Sequence, residues 1–100
     1  MSYTVKISSE AAADLRAIFE HIAFELRSVQ NASSQFARLE KEIYALNQMP
    51  ERYRRYDEEP WRSRGLRLMP VDNYCVFYIP NRETQTVNIV RNLWWSGYRL

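Results

Sequence analysis

Residues 66–95, LRLMPVDNYCVFYIPNRETQTVNIVRNLWW, contain three stretches typical of β-strands, separated by two turn sequences. The pair Asp72-Asn73 predicts a two-residue hairpin turn, because both residue types tolerate a positive φ. Residues 74–79 are the most β-prone stretch of the chain, and residues 86–95 follow as a further strand. This part of the chain is therefore expected to fold as an antiparallel β-meander.

Two amphipathic helices are predicted before the meander. Ser8 and Ser9 offer N-caps for the first helix, whose apolar stripe recurs at steps of three and four residues as far as Val29. Asn31 is the predicted N-cap of the second helix, which we expect Pro50 to stop. Because the connection between them is short, the two helices are expected to form an antiparallel hairpin.

A short β-prone stretch at residues 3–7 precedes the helices, so the predicted order of elements is β-α-α-β-β-β. This order predicts an α+β fold, in which the helical hairpin packs on one face of a small, mainly antiparallel sheet. We expect residues 1–100 to form a single domain with one compact core. The predicted core contains Leu15, Ile18, Phe19, Ile22, Phe36, Leu39, Ile43 and Leu46, packed against Val76 and against Val87 or Ile89.

The composition excludes several classes of protein. The chain is 46% apolar and 26% charged, which is ordinary for a globular protein rather than a disordered one. No apolar run approaches the ~18 residues that span a bilayer, and the N-terminus lacks the pattern of a secretion signal. We therefore expect a cytoplasmic protein without a membrane partner.

Few residues suit metal or cofactor chemistry. Cys75 is the single cysteine and His21 the single histidine, too few for a disulfide framework or a zinc site. The chain has two glycines, so a Gly-rich phosphate loop is excluded as well. We expect no metal and no cofactor, a packed thiol at Cys75, and either a surface pair of His21 with Glu25 or a partly packed ring.

Basic side chains are concentrated between positions 52 and 67, where six arginines occur. Arginine suits bidentate contacts with phosphate or carboxylate groups, and with aromatic rings it binds either single-stranded nucleic acid or a protein partner. The alternative is a solvated loop that Asp57, Glu58 and Glu59 partly neutralise. The predicted binding residues are Arg62, Arg64, Trp61, Trp94, Trp95 and Tyr98, with Arg62 and Arg64 as an exposed cationic rim.

Arg91 shares an alternating row with Val87, Ile89 and Leu93 of the last predicted strand. A charge on an otherwise apolar row needs a partner or an opening to solvent. Two alternatives follow from this requirement. Either Arg91 pairs with a structural carboxylate, or it engages a target.

The face on which Arg67 lies depends on the register of the hairpin. An uninterrupted ladder places Arg67 opposite Tyr78, on the side that the helices are expected to cover. A bulge near Pro70, which cannot donate to the ladder, would turn Arg67 to the side of Cys75 and Phe77. Both placements are compatible with the sequence.

The chain resembles the RelE/ParE superfamily of bacterial type II toxins. The resemblance rests on AAADLRAIFEHIA (residues 11–23) and on the meander with Leu66-Arg67, Pro70-Val71, Tyr74 and Val76-Phe77-Tyr78 before a Val-x-Ile-x-Arg strand. It implies a growth-inhibiting toxin of a plasmid stabilisation-like system, neutralised by a cognate antitoxin, and either a homodimer or a toxin–antitoxin hetero-oligomer. Residues 52–67 and 91–99 are then expected to contribute to the antitoxin contact.

The same resemblance implies a target, either DNA gyrase or mRNA on the ribosome. Arg67 and Arg91 match family positions and are the candidate catalytic residues, but RNA-cleaving members have an arginine at the position of Cys75. Those members also often have a His or Tyr near positions 94–96. This chain has neither at those positions, and Tyr98 is the nearest candidate. An apolar residue at the Cys75 position is typical of gyrase-directed members. The resemblance favours a gyrase poison; the alternatives are a ribosome-dependent mRNA endoribonuclease and a binding module without toxicity.

Overall fold

The computed structural model describes residues 2–94. Its elements are β1 (Thr4–Ile7), α1 (Ser9–Leu26), α2 (Val29–Tyr44), β2 (Arg67–Val71), β3 (Tyr74–Asn81) and β4 (Thr86–Trp94), with short 3-10 helices at Ala45–Asn47 and Pro50–Arg52. The sheet order is β1-β4-β3-β2; β1 runs parallel to β4, and the other neighbours are antiparallel. The predicted α+β fold is confirmed.

A serine side chain caps the N-terminus of each of the two α-helices. The Ser8 Oγ accepts a hydrogen bond from the backbone N–H of Ala11 at 3.0 Å, as the sequence predicted for α1. For α2 the N-cap is Ser28, whose Oγ accepts from the N–H of Asn31 at 3.3 Å. The prediction that Asn31 is the cap was wrong, because Arg27 takes a left-handed φ of 50° and already ends α1 there.

The second helix ends earlier than predicted. The α-helical hydrogen bonds stop at Tyr44, a 3-10 turn follows, and Met49 then takes a left-handed φ of 46°. Pro50 is the first residue of the next 3-10 helix, a position at which proline loses no needed N–H donor. Pro50 therefore begins a turn instead of stopping α2.

The apolar stripes of the two helices pack against one face of the sheet, as predicted. The buried residues include Leu15, Ile18, Ile22, Leu39, Ile43, Leu46, Val76, Val87 and Ile89, and Phe19 and Phe36 are partly buried against them. Burying each large aliphatic side chain contributes about 1.5–3 kcal/mol relative to exposure. Val29, the predicted end of the first stripe, is 68% exposed because it begins α2.

The opposite face of the sheet is also covered, which the sequence reasoning missed. A second apolar cluster contains Leu66, Leu68, Cys75, Phe77 and Leu93, with Tyr56, Trp61, Ile79 and Val90 packed against it. We call residues 53–66 the covering loop. The Leu68 N–H donates to the Arg54 carbonyl and holds this loop to the edge of β2, and the Tyr56 N–H donates to the Leu66 carbonyl within the loop. Consequently β3 is buried on both faces.

No helix within residues 2–94 is long and apolar enough to cross a membrane.

Candidate functional site

The register of the hairpin fixes the position of Arg67. Strands β2 and β3 pair without interruption, with Arg67 opposite Tyr78 and Pro70 opposite Cys75. Asp72 has the positive φ, 53°, that the two-residue turn requires. Of the two placements that the sequence allowed, the uninterrupted ladder is confirmed, and Arg67 lies on the same face as the buried Tyr78.

The guanidinium group of Arg67 binds the backbone that leads into the covering loop. Its Nη1 donates to the carbonyl oxygens of Glu51 at 3.1 Å and of Tyr53 at 2.6 Å. These contacts attach the end of the second 3-10 helix to β2. Both acceptors are uncharged, so they bind the guanidinium group without neutralising it.

Arg91 has a carboxylate partner on the first helix. Its Nε and Nη2 donate to the two oxygens of Asp14 at 2.7 and 2.9 Å, and the backbone N–H of Asn92 donates to Asp14 Oδ2 at 3.0 Å. The pair is partly buried, with side-chain exposures of 33% for Arg91 and 13% for Asp14. Bidentate geometry and partial burial make this a strong contact between α1 and β4. The arrangement agrees with the structural-carboxylate alternative for Arg91.

A β-bulge changes the facing of β4 beyond Ile89. Tyr78 pairs with Ile89 but Phe77 pairs with Arg91, so Val90 is an extra residue between the two pairs. Ile89 belongs to the core under the helices, whereas Val90 packs on the second cluster. The predicted row from Val87 to Leu93 was therefore wrong after Ile89, because the inserted residue shifts the alternation by one position.

Asn92 is a buried polar residue that the sequence analysis did not identify. It is 1% exposed, and its Nδ2 donates to the Ala11 carbonyl in α1 at 3.2 Å. Its Oδ1 has no hydrogen-bond partner. An asparagine within an apolar strand, next to Arg91, was the available signal. Together with Asp14, Asn92 aligns the end of β4 with α1.

His21, Tyr74 and Trp94 form an aromatic cluster at the end of β4. The Trp94 ring is 5.2 Å from each of the other two rings, and both contacts are edge-to-face. Trp94 remains 44% exposed. Two clefts of about 210 and 260 Å³ share these three residues in their walls. The partly packed ring expected for His21 is the arrangement observed. Tyr74 is buried, whereas His21 and Trp94 are exposed, and exposed aromatic side chains of this kind suit an anchor site for a protein partner.

Trp61, Arg62 and Arg64 lie in the covering loop. The Trp61 ring packs against the second apolar cluster, and the Arg64 guanidinium lies 5.2 Å from its centre in a cation–π contact. Both arginines are exposed, which agrees with the predicted cationic rim. The predicted binding residues therefore occur in two groups, one on this loop and one around Trp94. Trp95 and Tyr98 lie outside the described residues.

Cys75 is enclosed by the second apolar cluster. It is 1% exposed, and burial raises the pKa of its thiol to about 12. A thiol in this state is protonated at neutral pH and does not act as a nucleophile. The predicted packed thiol is confirmed. Within residues 2–94, no group of three or more His, Cys, Asp or Glu side chains is placed to hold a metal ion.

The fold and these contacts define a small α+β protein in which Arg67 and Arg91 both bind groups of the protein itself, and comparisons with known proteins assign it to a family. Residues 5–91 match the family model for the ParE toxin of the parDE type II toxin–antitoxin system. Because this match covers most of the chain, the chain belongs to the ParE toxin family. A search of the curated proteins found no match.

Two solved structures are similar to the fold. One is from the chromosomal ParDE toxin–antitoxin system of P. aeruginosa, with a TM-score of 0.78 and 20% identity over 95% of this chain and 98% of that chain. The other is from the RelBE2 toxin–antitoxin complex of Mycobacterium tuberculosis, with a TM-score of 0.70 and 21% identity over 94% and 99% of the two chains. At these identities the similarity establishes the fold.

Proposed function

We propose that this chain is a single-domain toxin that acts in the cytoplasm by binding DNA gyrase. The observation that carries the proposal is the use of both candidate catalytic arginines inside the protein. Arg67 donates to two backbone carbonyls, and Arg91 donates to both oxygens of Asp14. An RNA-cleaving site needs cationic donors directed at the reacting phosphate. Arginines that are already bound internally favour a toxin that acts by binding a protein.

The environment of Cys75 supports the same choice. In RNA-cleaving members of the superfamily that this chain resembles, an arginine occupies this position. Here the position lies beneath the covering loop and holds a neutral thiol, whose pKa burial raises to about 12. A cation at this position would need solvent or a carboxylate partner. An apolar, covered residue suits a gyrase-directed member better.

We further propose that the chain binds a cognate antitoxin and forms a hetero-oligomer with it. The two solved structures described above come from toxin–antitoxin systems, which supports this partner. The surfaces available for the target and the antitoxin include the His21–Tyr74–Trp94 cluster and the Trp61–Arg64 pair. Exposed aromatic and arginine side chains are the residue types that dominate protein interfaces.

Purified gyrase and a ribosome-dependent translation reaction together test this proposal. We expect the chain to inhibit supercoiling and to stabilise cleaved plasmid DNA, while mRNA on ribosomes stays intact. The Trp94→Ala variant should remain folded and lose much of this inhibition. The matched control is Val29→Ala, which removes an exposed apolar side chain elsewhere and should inhibit normally.

Two other outcomes would contradict the proposed target. Cuts in ribosome-bound mRNA with unaffected gyrase would identify an endoribonuclease. Unaffected gyrase and unaffected mRNA, with tight antitoxin binding, would identify a binding module that has kept the fold without toxicity.

A further inference from the structure

A cleft of about 450 Å³ opens beside the start of β1. We call it the arginine cleft; its walls are formed by Tyr3, Met49, Pro50, Glu51, Arg52 and Gln85. The Tyr3 N–H donates to the Asn47 carbonyl at 2.8 Å, and the buried Tyr78 hydroxyl donates to the Pro50 carbonyl at 2.6 Å. These hydrogen bonds hold two walls of the cleft in place. A preformed cleft spares a ligand part of the cost of ordering its site.

Met49 presents an apolar side chain at this cleft. It is 74% exposed and has a left-handed φ of 46°, which is uncommon for a residue with a long side chain. Arg52 fixes this conformation, since its Nη1 donates to the carbonyl oxygens of Gln48 and Met49. Backbone conformations of this kind are concentrated at functional sites. The exposed thioether is suited to adaptable contacts with an apolar side chain.

The surroundings of the cleft are strongly positive. Glu51 is bound by Arg82, whose Nε and Nη2 donate to its Oε1 at 2.9 and 2.7 Å. These hydrogen bonds, with the nearby charges of Arg67 and Arg55, hold the pKa of Glu51 below its usual value. Arg52 and Arg67 donate to neutral carbonyl oxygens. Glu51 is the one carboxylate among the described residues that line the cleft, and it lies near the three guanidinium groups of Arg82, Arg67 and Arg55, so net positive charge is left for a ligand.

We propose that the arginine cleft is the docking site for an acidic polypeptide segment. The segment would place one apolar side chain against Tyr3 and Met49, and its carboxylates would pair with Arg52 and Arg55. This inference rests on the proposed function in one respect, because the antitoxin is the expected source of the segment. Charge complementarity of this kind speeds association and selects the partner.

Two features of the cleft favour a polypeptide over a nucleic acid. The exposed side chain of Met49 lines the cleft and offers an apolar contact, from which a charged phosphate group gains nothing. The Tyr53 ring, which a base would need for stacking, is already covered by the Arg52 guanidinium at 5.0 Å. An apolar side chain flanked by carboxylates satisfies both conditions.

Fluorescence anisotropy with the full chain and three synthetic peptides tests the docking site. The probe carries several glutamates around a single leucine; one control peptide has glutamines in place of the glutamates, and the other has serine in place of the leucine. We expect the probe to bind, and each control peptide to bind about tenfold or more weakly. A single-stranded oligonucleotide of similar length serves as the competitor.

Substitutions at two exposed residues then test the location of the binding site. Met49→Asn removes the apolar side chain but keeps a residue that tolerates a left-handed φ, and Arg55→Gln removes an exposed charge. Each should weaken probe binding about tenfold. The matched controls are Phe24→Gln, at an 80% exposed apolar position, and Arg16→Gln, at an exposed arginine of α1. Both controls should bind within about twofold of the unchanged protein.

The docking site is refuted if the probe does not bind, or if the cleft variants bind it like the unchanged protein. Equal losses in the control variants, or an oligonucleotide that binds more tightly than the probe, would refute it too. These results are separate from the gyrase assay. If the chain poisons gyrase but does not bind the peptide, the proposed function stands and the docking site is refuted. If it binds the peptide but does not affect gyrase, the docking site stands and the proposed target is refuted.

Discussion

Arg67 and Arg91 carry the same side chain and both lie on the sheet, but they bind different kinds of acceptor. Arg91 faces the carboxylate of Asp14 across the contact between α1 and β4, and its charge is neutralised there. Arg67 faces two backbone carbonyls beside the arginine cleft, and its charge is retained. An arginine bound to a carboxylate serves mainly the fold, whereas an arginine bound to carbonyls serves the fold and also adds to the surface potential.

The largest effect is expected at the Arg91–Asp14 pair. Asp14→Ala leaves the partly buried Arg91 and the Asn92 N–H without this acceptor, and should lower the free energy of unfolding by about 1.5–3 kcal/mol. Arg91→Ala should cost a similar amount, and the double variant should cost much less than the sum. Denaturant unfolding measures all three.

Toxicity separates the two alternatives for Arg91. If the residue is structural, Arg91→Ala should reduce growth inhibition only in proportion to the loss of folded protein. A stable Arg91→Ala protein that binds antitoxin but no longer inhibits growth would instead make Arg91 a target contact. Antitoxin binding and growth are both measured against the amount of folded protein.

A smaller effect is expected for Arg67. Arg67→Ala removes two hydrogen bonds to carbonyls, so the free energy of unfolding should fall by about 1–2 kcal/mol. Because its charge is not cancelled, this variant should also weaken binding of the acidic peptide, whereas Arg91→Ala should not. If Arg67→Ala and Arg91→Ala bound the acidic peptide equally well, the conclusion that only Arg67 retains its charge would be wrong.

The stability of the protein at alkaline pH tests the environment of Tyr78, which lies opposite Arg67 in the ladder of β2 and β3. Burial raises the pKa of Tyr78 from 10.0 to about 12, against a smaller opposing influence of Arg67. The native state thus holds the Tyr78 proton more tightly than the unfolded chain does. Its contribution to stability is complete below about pH 10 and is lost as the pH rises towards 12. The pH-dependent loss of stability should be smaller in Tyr78→Phe, as measured by denaturant unfolding across this range.

The smallest effect is expected at an exposed ion pair. Arg38 and Asp72 are 2.7 Å apart, with side-chain exposures of 58% and 43%. Exposed pairs contribute about 0–1 kcal/mol, so Arg38→Ala should change the free energy of unfolding by about 0.5 kcal/mol or less. Asp72→Asn is the matched substitution, because asparagine keeps the left-handed turn conformation. If Arg38→Ala lowered the free energy of unfolding as much as Asp14→Ala does, burial would not explain a difference in strength between the two ion pairs.

Local sequence determined much of the fold. The residue types of Asp72-Asn73 identified the two-residue turn, whereas the structure decided between the uninterrupted ladder, with Arg67 opposite Tyr78, and a bulge near Pro70. Ser8 marked the start of α1, and the periodic apolar residues identified the helical face that packs on the sheet. These features depend on residues that are close together in the chain, so pattern and spacing are sufficient to predict them.

Tertiary structure decided the partners of the arginines. Asp14 and Arg91 are separated by 77 positions, and the bulge at Val90 that changes the facing of β4 has no proline or glycine to mark it. The covering loop over Cys75 and the approach of Arg82 and Arg67 to Glu51 likewise depend on contacts between distant segments. The sequence by itself determined the order of the elements and the apolar faces of the two helices. The second apolar face of the sheet and the assignment of charges to acceptors required the packed chain, because an ion pair forms only where the fold brings its two groups together.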